Sequence, residues 1–526
     1  MIVDSILIVG AGSAGWMSAA FLKKTFPEKS ICVVESSDFP IVGVGESTLA
    51  DITNFRDYLG INEKEFIRKT NGSFKMSIKF TDFYEKNSGS FHYPFRNPDL
   101  SDPNLPMESW MEIKALYPET PVEDFVRCFF PHAPLFENNK FMNNNGKLGN
   151  YNSKTDVAYH FDATMFANWL RDDYCIPKGV TRIVGTVKDA VVDESGIKSV
   201  ILEDNTKLSA DLYIDCTGFS SLLLGKYLKE PFISFSDMLP NNRALAAQVP
   251  YIDKEKEIEP FTNCTAIGNG WCWNIPLWSR LGTGYVYSDL FITPEQAEEE
   301  YKKYLMSEKM IIPRTKKQVN SLEFKDIKMK VGIHKRTFVK NVVAIGLSAG
   351  FIEPLESNGL FTTQWFISDL AKTLLRNKVT QWDKDVYNHA TYSQYSRFAM
   401  FVALHYALSK RSDTDYWRAV SEKSFSKHLT TETQLLDDDF IKVAKAKMFN
   451  HNLVPNDGAT YISIGMNYPF YDRVDARLFN FGDLNKEKID RNVKAFEARK
   501  RYWQEACLEA PSLYSYLKDN YYQDFQ

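Results

Sequence analysis

An α/β fold with mixed sheets and a mostly helical C-terminal region is predicted by three stretches of the sequence. "SILIVGAGSAGWMSAAFLKK" (5–24) passes from a short apolar run, through glycines, into helical spacing. "VTRIVGTVKDAVVDESGIKSVILEDNTKLSADLYIDCTGF" (180–219) reads as successive strands with a hairpin at "DESG". From about residue 365 onward, segments such as "TQWFISDLAKTLLRN" and "IDRNVKAFEARKRYWQEACLEA" carry apolar residues at helical intervals.

The elements follow in order. "SILIVG" is apolar and bounded by glycine, as a buried parallel strand is. Gly10, Gly12 and Gly15 form GxGxxG between that strand and the helix it opens. Such a turn lets backbone approach a pyrophosphate, which the free N–H groups and dipole of the helix N-terminus then hold, beside Ser13 and Ala14. "KSICVVESS" is the second strand of a β-α-β unit, and Glu35 at its end is placed to accept hydrogen bonds from a ribose. The context of strand, helix and acid makes this a dinucleotide site. "FKMSIKF" has period two, with Phe74, Met76, Ile78 and Phe80 on one face and Lys75, Ser77 and Lys79 on the other. The Asn-rich "ENNKFMNNNGKLGN" (137–150) reads as an exposed loop.

The totals narrow the function. The 526 residues carry 63 basic and 67 acidic side chains, a formal charge of −4, which argues against a general nucleic-acid binder. Aromatic residues make up 14%, which suits a protein that holds flat ligands. Seven cysteines, with no CxxC pair, argue against a disulfide framework or a structural zinc site, and no metal is expected. "MIVDSILIVG" lacks the basic start of a secretory signal, and no apolar run reaches the length of a membrane span. The expectation is a cytoplasmic protein of a bacterial or phage-like, reducing compartment.

The dinucleotide reads as FAD. "GVGESTL" (43–49), with Gly45, Glu46 and Ser47, follows the second strand, while "LYIDCTGF" (212–219) and "VVAIGLSAGF" (342–351), with Gly346 and Leu347, return to the nucleotide late in the chain. This arrangement is typical of FAD-dependent monooxygenase-like proteins. No second GxGxxG is present for a nicotinamide nucleotide, so the flavin is expected to arrive reduced, from a separate NAD(P)H-dependent reductase.

Nine stretches together resemble the flavin-dependent halogenases of the tryptophan-halogenase type, nearly end to end: "GAGSAGW", "GVGEST", "SFKMSIKF", "FHYPF", "YHFDATMFANWL", "IDCTGF", "WCWNIP", "GFIEPLESNG" and "KRSDTDYWR". "WCWNIP" (271–276) matches that family's WxWxIP signature; Phe351, Pro354, Ser357 and Gly359 match its second one. The resemblance implies that reduced FAD and O2 oxidise a halide to hypohalous acid. Trp271, Trp273 and Pro276 would then keep organic substrate away from the flavin. Ser357 and the N–H groups of Asn358 and Gly359 would hold the halide, Asn358 standing where the family usually has Thr. Lys75 would hand the halogen to an electron-rich arene, with Glu356 assisting.

Two departures fall on substrate-facing positions. Tyr93-Pro94-Phe95 stands where the tryptophan enzymes commonly carry His-Pro-Phe, and Thr460-Tyr461 where they place a stacking Trp. Phe91, Tyr93, Phe95, Trp417 and Tyr461 are the expected pocket, open to indole, phenol or another arene. The runner-up is an FAD-dependent aromatic hydroxylase, which would need neither "WCWNIP" nor Lys75. A flavin-binding protein without catalysis would have no use for Lys75 and Glu356. The expected organisation is an FAD core in three parts (1–95, 155–240, 326–370, the last with the halide loop), a substrate-side insertion (96–154), a sheet carrying "WCWNIP" (241–325) and a helical substrate-side region (371–526).

Overall fold

A computed structural model describes residues 1–36, 46–95, 98–144, 146–376, 378–422, 458–467 and 485–523. The first sheet has six strands, in the order Phe338–Val339, Val342–Ala344, Leu212–Asp215, Ser5–Val9, Ser30–Glu35 and Thr181–Val184. All neighbours run parallel except the first pair. Ile8 lies between Val33 and Ile214, and all three are buried. Parallel strands covered on both faces read as unbroken apolar runs, which is why "SILIV" and "LYID" look as they do. The helix Ser13–Thr25 follows the first strand.

The second sheet has seven strands, in the order Lys325–Lys328, Arg243–Val249, Leu281–Tyr287, Gly270–Pro276, Phe261–Ile267, Ser77–Thr81 and Ser90–Pro94. Residues 77–94 therefore belong to the sheet that carries "WCWNIP", although the chain places them among the first nucleotide elements. A small third sheet joins Glu46–Ser47 and Ser73–Lys75 to the two sides of Ala158–Phe161.

The expected single strand "FKMSIKF" is two. Met76 leaves both ladders: its N–H donates to the Pro260 carbonyl, and its own carbonyl accepts from Phe95 N–H. Lys75 pairs with Ala158 in the small sheet, while Ser77 pairs with Phe261 and Pro94 in the large one. The alternation of apolar residues continues through the break because Met76 is itself buried on both sides. The Asn-rich stretch also differs from expectation. Phe141 is buried and stacks on Phe74 with centroids 4.4 Å apart, and Leu148 is buried, so apolar anchors hold the loop down.

The C-terminal third is helical where described: Gly359–Leu374, Gln381–Ala407, Asp415–Ser421, Gly458–Gly465, Lys486–Cys507 and Leu513–Asn520. Among the described residues no helix is long and apolar enough to cross a membrane.

Candidate active site

The glycine turn is built by contact. Gly10 has φ +105°, and a side chain there would strike the Cys216 carbonyl; one at Gly15 would strike the Gly10 carbonyl. At Gly12 a Cβ would meet nothing within 4 Å. The turn is thus closed on two sides and open at Gly12, on the N-terminal end of the helix, as backbone approach to a pyrophosphate requires. Gly346, with φ +72°, stands against Ala14, so the late glycine loop with Leu347 returns to the same place. Arg171 and Arg182 hold Glu35, the former at 3.1 Å, which fixes the carboxylate at the strand end. Gly45 lies outside the described residues. Burial and the charge of Asp162 push the Glu46 carboxyl up to about 7.

The loop expected to hold halide turns sharply. Pro354–Glu356 form a tight turn, Ser357 takes the left-handed conformation (φ 56°), and Asn358 and Gly359 open the sixteen-residue helix Gly359–Leu374. The N–H groups of Asn358 and Gly359 donate to no backbone carbonyl among the described residues, and a side chain at Gly359 would meet open space. Free N–H groups at a helix N-terminus favour an anion.

Lys75 points at this loop. Its side chain is fully buried, and Nζ donates to Ser357 Oγ (2.8 Å) and to the Thr48 carbonyl (2.9 Å). The Phe95 ring lies 4.8 Å from Nζ. Burial lowers the amine to about 7, with Cys264 and Glu356 opposing. A buried amine in that state exchanges its proton near neutrality. Glu356 is also buried, and burial raises its carboxyl against the pull of His405 and Lys75. His405 Nε2 lies 2.8 Å from Glu356 Oε1. The other ring nitrogen, Nδ1, lies 3.1 Å from the Val402 carbonyl and 3.2 Å from that of Phe401. A carbonyl only accepts, so Nδ1 carries hydrogen and Nε2 faces the carboxylate.

Lys79 stands elsewhere. With His92, Glu259 and Phe261 it lines a polar groove of about 610 Å³ on the other face of the sheet. Ser77, too, turns to that side, its hydroxyl 2.9 Å from His92.

Trp271 and Trp273 share one face of their strand, centroids 6.2 Å apart, while Cys272 packs into a separate cluster on the opposite face. Trp271 Nε1 donates to Glu353 Oε2 (2.9 Å), which also accepts from Asn241 (2.8 Å) and Tyr406 (2.7 Å). The tryptophan block is therefore tied, through Glu353, to the loop 354–359. Pro276 ends the strand, and its carbonyl accepts from Ser73.

Of the expected pocket residues, Phe91 and Tyr93 alternate along one edge strand, Phe95 follows its end, and Tyr93 meets Tyr461 at 6.1 Å. Trp417 does not join them. It is fully buried, its indole N–H donates to the Ile267 carbonyl (2.6 Å), and Arg411 covers its face at 4.4 Å. A tryptophan enclosed and satisfied in this way is core. Sequence reasoning missed His405, Glu353, His160 and Thr262. His160 sits inside the quoted "YHFDATMFANWL", and His405 lies six residues before Arg411 of "KRSDTDYWR"; being histidines beside motifs was the only signal. Among the described residues no group of three or more His, Cys, Asp or Glu is placed to hold a metal.

The whole chain can also be compared with known proteins. The tryptophan halogenase family model matches residues 5–469. The chain is 34% identical over 437 residues to tryptophan 6-halogenase SttH of Streptomyces toxytricini, covering 79% of this chain and 80% of that one. The apo structure of VirX1 superposes with a TM-score of 0.88 at 34% identity, covering 99% of this chain and all of that one. BrvH, a flavin-dependent halogenase from Brevundimonas sp. BAL3, gives 0.82 at 26% identity over 98% and 99% of the chains. The family match across most of the chain, together with these relatives, identifies it: the chain is a flavin-dependent halogenase of the tryptophan halogenase family.

Proposed function

We propose that hypohalous acid formed beside "WCWNIP" is relayed to Lys75 and transferred to an electron-rich arene, indole- or tryptophan-like, with Glu356 taking the ring proton. The observation that carries this is Lys75 itself. It is fully buried, depressed to about 7, and hydrogen-bonded to Ser357 of the loop that would hold halide. Gly10, Gly12, Ser13, Ala14, Gly15, Glu35, Glu46, Ser47, Gly346 and Leu347 would hold FAD. Reduced FAD with O2 supplies the oxidising power that turns halide into hypohalous acid.

This chain's residues do the rest. The N–H groups of Asn358 and Gly359 hold the halide. Trp271 and Trp273, bulky and without acid or base, exclude arene and water from the oxidising end. Lys75, near neutrality, presents the halogen to one ring carbon. Glu356, raised by burial, accepts a proton readily. Phe91, Tyr93, Phe95 and Tyr461 stack the arene. SttH, by its name, acts on tryptophan; here Tyr93 and Tyr461 shape the pocket, which favours a flat arene without fixing it as free tryptophan. A separate NAD(P)H-dependent reductase supplies reduced flavin.

The test is purified protein with FAD, a flavin reductase, NADH and chloride, bromide or iodide in turn, against an arene panel read by mass spectrometry. Halogenated product that requires halide is expected. Hydroxylated arene formed equally without halide would favour the hydroxylase reading, and rapid NADH turnover without added reductase would remove the two-component scheme.

A further inference from the structure

Lys75 is one end of a line of hydrogen-bonding groups that joins five separate segments of the chain. Its Nζ meets Ser357 Oγ at 2.8 Å. Ser357 Oγ lies 3.0 Å from Ser47 Oγ, and Ser47 Oγ lies 2.6 Å from Thr262 Oγ1. Thr262 Oγ1 lies 2.8 Å from His160 Nε2. On its far side His160 Nδ1 lies 3.4 Å from Ser73 Oγ, which is bonded to the Pro276 carbonyl. Ser73, His160, Thr262 and Ser357 are all buried, and Ser47 is partly so.

The order of protons along this line follows from its ends. A carbonyl oxygen only accepts, so the Ser73 hydroxyl proton goes to Pro276. Ser73 Oγ is then left to accept from His160 Nδ1–H. In a neutral imidazole Nε2 is then the acceptor, and it takes the Thr262 proton. Thr262 accepts from Ser47, Ser47 from Ser357, and Ser357 from the Lys75 ammonium. Each hydroxyl has one proton, and each is used once. With the ring neutral and Lys75 donating, no other order satisfies every link.

We propose that this line is a proton relay in which His160 takes and returns the proton that Lys75 must shed to receive halogen. A proton leaving Nζ enters Ser357, whose own passes to Ser47, then to Thr262, then to His160 Nε2. Three hydroxyls reverse, Lys75 becomes an amine, and His160 becomes a cation. Resting on the reading above, the amine then attacks hypohalous acid: the N–X bond forms, the O–X bond breaks, and the amine proton leaves with hydroxide as water. When the arene takes the halogen, the N–X bond breaks, the relay returns its proton to nitrogen, and the ring proton goes to Glu356. Burial and the Lys75 charge hold His160 neutral in the resting site, so the sink is empty until Lys75 gives up its proton.

His160 and Thr262 act through Lys75 and are positioning residues, and two measurements on the full chain test their role. Long-range 1H–15N correlation on 15N-histidine protein, with His160 assigned by His160→Gln, should show the Nδ1–H tautomer near pH 6, where Lys75 is charged and the His160 ring neutral. An Nε2–H tautomer would reverse the proton order and overturn the relay. This readout needs no flavin and no turnover. In the halogenation assay, Thr262→Val, which keeps shape and removes the hydroxyl, should lower kcat by ~10²-fold with KM little changed, the scale of losing a positioned proton-transfer group. Thr262→Ser should restore most of the rate. Wild-type rates in Thr262→Val, or a loss that Thr262→Ser fails to rescue, would sink the relay. Wild-type protein that halogenates no arene would instead remove the proposed function, and the tautomer would still decide the proton order.

Discussion

Lys75 and Lys79 are four residues apart, and alternation gives them the same face, yet they live in different environments. Lys75 is sealed among Ser357, Thr48 and Phe95, and burial brings its amine to about 7. Lys79 lines an open groove, with the Phe261 ring 5.5 Å away. What separates them is one residue, Met76, which leaves both ladders and passes the chain from the small sheet to the large one. The contrast teaches that chemistry here is assigned by enclosure. The same side chain is sealed with its amine depressed, or left half-buried at a groove, according to which sheet it joins.

The largest expected effect tests that contrast directly. Lys75→Ala should abolish controlled arene halogenation, with product below detection by mass spectrometry, while hypohalite trapped by a fast-reacting dye continues to form. Normal product from Lys75→Ala would mean that free hypohalite in solution does the chemistry. Next in size, Glu356→Gln should slow product formation by ~10²-fold or more, the scale of losing a positioned proton acceptor; single-turnover rates would separate this from weaker binding.

A third prediction concerns stability and pH. The folded Lys75 amine titrates near 7 against an ordinary value of 10.5, so between those values the unfolded chain binds more protons, and stability rises with pH. Below 7 the buried charge costs at most about 5 kcal/mol, since each tenfold loss of proton affinity is worth about 1.36 kcal/mol. Lys75→Met removes that cost and should melt higher than wild type at pH 6, by a margin that shrinks as pH approaches 10. A margin independent of pH would place the lysine's charge in contact with water. The smallest effect belongs to half-buried Lys79→Ala, which should change product formation by about twofold or less, through local charge or packing at the groove.

The parts of this protein that sequence makes legible are those whose chemistry is local. GxGxxG works through neighbouring backbone, and Gly10 and Gly15 fail as anything larger because of contacts that any such turn makes. "PLESNG" frees its backbone N–H groups through its own tight turn and the helix it opens. The rest depends on meetings across the chain. Glu356 faces a histidine 49 residues later (405 against 356), and Trp271 is held by Glu353, 82 residues away. No pattern of period two or 3.6 encodes such pairs. Trp417 shows the converse error: a tryptophan in a family stretch invites a binding role, but its N–H and face are already taken by Ile267 and Arg411. The break at Met76 stayed hidden because both sheets bury the same alternate residues.

Ser357 holds a left-handed backbone that suits glycine better, at a cost on the order of 1 kcal/mol for a residue with a side chain. Its hydroxyl contributes a hydrogen bond to Lys75 of similar size. Ser357→Gly would relax that backbone but delete the hydroxyl's bonds to both Lys75 and Ser47, a net loss on the order of 1 kcal/mol. A directed-evolution campaign that first filters variants by melting temperature would pass so small a loss as nearly silent, and would carry forward a well-folded library member whose buried Lys75 amine had lost a partner.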